Sequence, residues 1–74
     1  MSGTTLDLMG LKCPLPALKT RKALKGLPPG TRLVVTANDP LAEIDIPNLI
    51  RETGDTLVSS RREPDRLVFE IEKA

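Results

Sequence analysis

Leu8-Met9-Gly10-Leu11-Lys12-Cys13-Pro14-Leu15-Pro16-Ala17 is where this chain passes from one backbone periodicity to another. Upstream, Thr4 to Leu8 alternates, with Leu6 and Leu8 on one side and Thr5 and Asp7 on the other. That is the period-two pattern of a short strand, and Gly10 closes it. Downstream, from Ala17 to Lys25, the repeat lengthens to helical spacing. At ~100° per residue Ala17, Thr20, Ala23, Leu24 and Leu27 share one side, while Lys19, Arg21, Lys22 and Lys25 gather opposite. Leu18 interrupts the charged side. Between the two regimes, Pro14 and Pro16 suit a first helical turn, whose leading N–H groups have no intrahelical acceptor. Each proline fixes φ, so together they preset the direction in which the helix leaves. Gly26 stands where a helix end favours glycine, and Pro28-Pro29-Gly30 cannot continue the turn.

The rest of the chain repeats the alternation of strand and helix. Arg32 to Ala37 is rich in β-branched residues and apolar on both sides through Leu33, Val34 and Val35, which reads as a central strand. Asn38-Asp39-Pro40 follows as a turn or short helical start, with Asp39 as cap and Pro40 at the first position. A second helix is expected to begin near Asp45, again an acidic cap, with Pro47 in its first turn. Ile46, Leu49, Ile50 and Thr53 form its inward stripe and Gly54 ends it. Two strands are expected at Thr56 to Arg62 and Arg66 to Glu72, joined at Glu63-Pro64-Asp65. In the second, Leu67, Phe69 and Ile71 face one way, and Arg66, Val68, Glu70 and Glu72 the other. The order β-α-β-α-β-β is an α/β two-layer sandwich. Two helices on one face of a four-stranded mixed sheet bury these stripes most simply. No repeat or linker divides residues 1–74, which read as one domain.

Composition narrows the chemistry. The 74 residues hold one cysteine, one phenylalanine and no histidine, tryptophan or tyrosine. Without histidine there is no imidazole base, no Ser-His or Cys-His nucleophile pair and no imidazole metal ligand. A single cysteine makes neither an internal disulfide nor a Cys-rich zinc site, so no metal and no cofactor are expected. A net charge of +1, from 11 basic and 10 acidic residues, argues against nucleic-acid binding driven by bulk charge, and one aromatic cannot stack bases. No apolar run approaches the ~20 residues of a membrane helix, and Met1-Ser2-Gly3-Thr4-Thr5 does not read as a signal peptide. A lone free thiol suits a reducing compartment, and the expected setting is the cytoplasm.

Lone cysteines are most often buried, inert hydrophobes. Here the adjacent lysine, the two prolines and the preceding glycine describe an exposed turn. Cys13 falls at or next to the N-cap, where the positive end of the helix dipole and free amides such as those of Leu15 and Ala17 are expected to favour the thiolate. Lys12 stands beside it. With Lys19, Arg21 and Lys22 on the helix it opens, Lys12 forms a candidate docking surface for an acidic partner. Pro14 and Pro16 are read as supports for the geometry of Cys13.

Leu6-Asp7-Leu8-Met9-Gly10-Leu11-Lys12-Cys13-Pro14-Leu15-Pro16 resembles the N-terminal Cys-Pro-x-Pro signature of the TusA/SirA family of small sulfur-carrier proteins (sulfurtransferases). The likeness continues through Val35-Thr36-Ala37-Asn38-Asp39-Pro40, Asp45-Ile46-Pro47 and Gly54-Asp55 to the terminal strand pair, and so spans nearly the whole chain. It implies a two-layer α/β sandwich and a persulfide relay. Cys13 would accept sulfane sulfur from a donor protein, a cysteine desulfurase or rhodanese, and deliver it to an acceptor protein thiol. Transfer RNA thiolation, molybdenum-cofactor synthesis and sulfur oxidation are the pathways this implies. A small carrier that must present its thiol is expected to be a monomer when free. The other reading left open is a non-catalytic interaction module on the same fold, with Cys13 a passive neighbour of the basic helix face.

Overall fold

In strand β2 (Arg32–Ala37), Leu33, Val35 and Ala37 are fully buried while Arg32, Val34 and Thr36 are half-buried. A computed structural model describes residues 3–74, and this strand lies inside its sheet. Beside it lie β1 (Gly3–Leu8), parallel, and β4 (Arg66–Glu72), antiparallel; β3 (Thr56–Glu63) pairs with β4 to give the order β1-β2-β4-β3. The two helices are α1 (Leu15–Lys25), which packs on β1 and β2, and α2 (Ala42–Thr53), which packs on β4 and β3; they also pack on each other. The order β-α-β-α-β-β and the two-layer arrangement follow the sequence reading.

The inward register is Leu8, Ala37 and Leu67 at one end of the sheet, Leu6, Val35 and Phe69 in the middle, and Leu33 and Ile71 towards the other. Against these, Pro16, Thr20 and Leu24 of α1 and Ala42, Ile46, Leu49 and Ile50 of α2 are buried. Thr20 is wholly buried because its hydroxyl donates to the Pro16 carbonyl one turn back, at 2.8 Å. The opposite sheet face carries arginines and acids in register. Arg32 bridges Glu70 and Glu72, Arg61 bridges Glu70 and Glu63, and Arg66 bridges Glu63 and Asp65. Val68 lies on this open face as its parity requires. It is nonetheless only 5% exposed, flanked by Thr36 and Arg61 on the neighbouring strands.

Element ends differ from expectation in four places. Strand β1 begins one residue before Thr4, at Gly3. Helix α1 begins at Leu15, two residues before Ala17, with Pro14 as N-cap; Pro16 lies within its first turn. Helix α2 begins at Ala42, and Asp45 is therefore not its cap. Successive three-residue turns, Ala42 N–H to the Asp39 carbonyl and Glu43 N–H to the Pro40 carbonyl, run directly into the α-helical bond from Asp45 N–H to the Leu41 carbonyl. Asp39 is not the cap either: the N-cap is Leu41, Pro40 lies before the helix, and Asp39 Oδ1 accepts the Leu41 N–H at 3.2 Å in the turn that leads in. Pro47 accordingly sits within the helix, where it has no N–H to give the Glu43 carbonyl. Strand β3 runs one residue further than expected, to Glu63, and a bulge between Leu57 and Ser59 shifts its register against β4.

The two ends of the sheet have different tasks. Leu8 and Ala37 finish the parallel strands at one end, where the β1–α1 and β2–α2 loops emerge. Gly3 and Glu72 pair with Arg32 at the other end. There Asp55 and the three residues that meet it fasten the chain. Its buried carboxylate accepts from the Thr53 hydroxyl at 2.7 Å and the Ala74 N–H at 2.8 Å, with the Lys73 ammonium at 3.9 Å.

Candidate active site

A parallel pair of strands delivers two loops to the same edge of a sheet, and side chains at that edge can meet across large sequence distances. After Leu8 the chain turns at Gly10, whose φ of +85° lies in the region open to glycine. Asp7 Oδ1 accepts the Met9 N–H at 3.0 Å, and Asn38 Oδ1 accepts the Gly10 N–H at 2.9 Å. Asp39 Oδ2 accepts the N–H of Cys13 itself. The β1–α1 loop is thereby tied at two amides to consecutive side chains of the β2–α2 loop. Cys13 stands at its outer bend, exposed and free, and its bond to Pro14 is cis.

The sulfur faces α2. Cys13 Sγ lies 3.0 Å from Asp45 Oδ2, the thiol donating to the carboxylate. Its pKa is raised above the ordinary thiol value, first by this hydrogen bond, then by loss of solvent, then by the negative charges of Asp45 and Asp39. This corrects the expectation that the helix start would favour the thiolate. The N-cap is Pro14 rather than Cys13, and the Leu15 amide is taken by the Lys12 carbonyl at 2.8 Å. Asp45, by its hydrogen bond and its charge, and Asp39, by its charge, both disfavour loss of the thiol proton.

Between α1 and α2 a groove of about 350 Å³ opens from the thiol, walled by Pro14, Ala17 and Leu18 on one side and Asp45, Asn48 and Leu49 on the other. Leu18, the residue that broke the charged side of α1, is 54% exposed and contributes to this wall. The groove ends at Arg21, bridged to Glu52 at 3.0 Å. Of the basic residues singled out in the sequence, Arg21 therefore lies in the groove, already paired across the helices. Lys12 lines a separate cleft of about 270 Å³ with Asn38 and Asp39. Lys19 and Lys22 are exposed and belong to neither wall. Pro14 edges the groove, while Pro16 is buried beneath the first turn. Sequence reasoning assigned Asp45 first to capping, with partner docking as the alternative; what it missed is the contact to sulfur 32 residues away. Among the described residues no three cysteine or acidic side chains gather as a metal site, and no helix is long and apolar enough to cross a membrane.

The family described as sulfurtransferase TusA matches residues 4–73. The sulfur carrier protein TusA of Allochromatium vinosum is 38% identical over 69 residues, 93% of this chain and 91% of that protein. A putative sulfur carrier protein of Neisseria meningitidis is 43% identical over 60 residues, 81% of each. The crystal structure of a SirA-like protein from Desulfitobacterium hafniense superposes with a TM-score of 0.81 at 20% identity, covering 93% of this chain and 95% of that one, a likeness of fold. With the family pattern matched from the first strand to the last, and with the same two-layer fold, this chain belongs to the TusA/SirA family.

Proposed function

We propose that the protein is a sulfur carrier that holds sulfane sulfur as a persulfide on Cys13 and passes it between proteins. The observation that carries this reading is a single free thiol, exposed at the tip of a loop anchored by Asn38 and Asp39, in a chain with no second cysteine. A second thiol in the same chain would discharge a persulfide as an internal disulfide; this chain has none. The Cys13 sulfur attacks the outer sulfur of a donor persulfide and the donor's thiol sulfur leaves, under the same rules as thiol–disulfide exchange. The donor is a cysteine desulfurase or rhodanese and the acceptor another protein thiol, in transfer RNA thiolation, molybdenum-cofactor synthesis or sulfur oxidation. The transfer calls for no metal and no cofactor, and no direct contact with nucleic acid or membrane. Pro14 and Pro16 support the loop. Lys12, Lys19, Arg21 and Lys22 are the docking residues, spread over the two clefts and the exposed face of α1, with Arg21 free to exchange Glu52 for a partner's acid. The carrier works as a monomer in the cytoplasm.

Incubation with a cysteine desulfurase and cysteine, followed by intact-mass spectrometry, tests this. The wild type is expected to gain the mass of one sulfur atom, and Cys13→Ser to gain none. Absence of an adduct from any protein or small-molecule persulfide donor would sink the proposal.

A further inference from the structure

A thiol that attacks a persulfide must lose its proton as the new S–S bond forms, and this chain has no histidine to take it. We infer that Asp45 is the proton acceptor for Cys13, a catalytic residue in contact with the reacting sulfur; the inference rests on the carrier reading above.

The groups around Cys13 separate by elimination. Asp39 has both oxygens occupied by backbone, Oδ2 by the Cys13 N–H and Oδ1 by the Leu41 N–H, so it holds the loop. Arg21 offers donors only, and it is bridged to Glu52 at the far end of the groove. Lys12 lines the other cleft, on the side of Asn38 and Asp39. Among the described residues Asp45 alone directs an oxygen at sulfur within hydrogen-bond distance, at 3.0 Å, from a half-buried position in the first turn of α2. Ala17, Leu18 and Leu49 line the groove beyond it, so a docked persulfide group meets the Cys13–Asp45 pair against apolar walls, where a hydrogen bond to a carboxylate is strengthened.

In the transfer, the Cys13 S–H bond breaks and its proton moves to Asp45 Oδ2 while Sγ bonds to the outer sulfur of the donor, R–S–S–H. The donor S–S bond breaks and R–S⁻ leaves with the electron pair, then takes the proton from the Asp45 carboxyl. The sum is R–S–S–H plus Cys13–S–H giving R–S–H plus Cys13–S–S–H, with no net oxidation and no change of charge. Delivery is the reverse: the acceptor thiol gives its proton to Asp45 as it attacks, and the departing Cys13 sulfur takes that proton back. The same contact that keeps the resting thiol protonated is the path by which it is deprotonated.

The test sets two readouts of Cys13 against each other in wild type, Asp45→Asn and Asp45→Glu. Iodoacetamide alkylation across neutral and alkaline pH reads the thiol's titration. Loading by glutathione persulfide, followed by intact mass, reads sulfur transfer. Asp45→Asn is expected to shift alkylation to lower pH, because the negative charge that strengthens the hydrogen bond to the thiol has gone, yet to load about 100-fold more slowly at neutral pH. Asp45→Glu, which keeps a carboxylate, is expected to recover much of the loading rate. Circular dichroism checks that each variant folds, and Asp45→Ser carries the same comparison should the asparagine variant fail to. Loading by Asp45→Asn that equals or exceeds the wild type, rising with its thiolate fraction, would overturn the inference and leave the carrier reading standing. Failure of the wild type itself to load, from glutathione persulfide and from a cysteine desulfurase with cysteine alike, would overturn both.

Discussion

At the scale of single residues, the behaviour of Cys13 is set by two carboxylates that reach it from the far side of the molecule's site. Asp45 acts by direct hydrogen bond and Asp39 by charge, and both disfavour the thiolate. The sign follows directly: a thiol whose pKa is raised is less ionised at neutral pH, and removing either carboxylate moves it back down. Asp39→Ala is therefore expected to bring iodoacetamide alkylation of Cys13 to lower pH, by less than Asp45→Asn does, because Asp39 is the smaller contributor. A rise in the alkylation midpoint would refute this assignment. The position of Cys13 at a strand-to-helix turn was legible from the prolines and glycine around it. The direction of its side chain was not. Asp45 lies 32 residues away on another helix, and only the packing of α1 beside α2 brings the two groups together.

At the scale of elements, local rules placed all six and failed only at their ends. Two acid–proline starts compete in this chain, Asp39-Pro40 and Asp45 with Pro47, and each has the residue types of a helix N-terminus. The first prevails because its turns continue without a break into α2. The second is absorbed: an acid in the first turn remains favourable to the helix dipole, and the single carbonyl left by Pro47 is tolerable near the helix start. The C-terminal signals read more cleanly. Gly54 adopts φ +82°, and its N–H closes the last turn onto the Ile50 carbonyl at 3.1 Å. A Cβ there would meet nothing within 4 Å, so the penalty of a substitution is conformational alone. Gly54→Ala is expected to destabilise the fold by about 1–2 kcal/mol in urea unfolding, the cost of a left-handed backbone with a side chain. Sulfur loading by the folded fraction should be unchanged.

At the scale of the whole molecule, a 74-residue chain has a thin core and little stability to spare. Its inward stripes specified which faces are buried, and Val68 is the exception that parity alone could not foresee, since its shelter comes from its neighbours on a face that otherwise carries the arginines and acids together with Val34 and Thr36. The fastening at Asp55 is likewise a product of assembly, joining the start of β3 to the end of β4. Asp55→Ala leaves the Ala74 N–H and the Thr53 hydroxyl without this acceptor and is expected to lower unfolding stability by about 1–3 kcal/mol. The thiol is distant from this change, so its alkylation rate should stay at the wild-type value; a change in that rate would show that the two ends of the sheet communicate.

The register of the sheet also gives the molecule a front and a back. Cys13 follows Leu8 at one end of β1, while Gly3 and Glu72 both stand level with Arg32 at the other end, about 17 Å back along strands that rise ~3.3 Å per residue. An anchor, a fluorescent label or a second domain joined beyond Ala74 is carried on the rear pole. A carrier immobilised there would keep its sulfur facing outward, so that tethering leaves the donor's approach unobstructed.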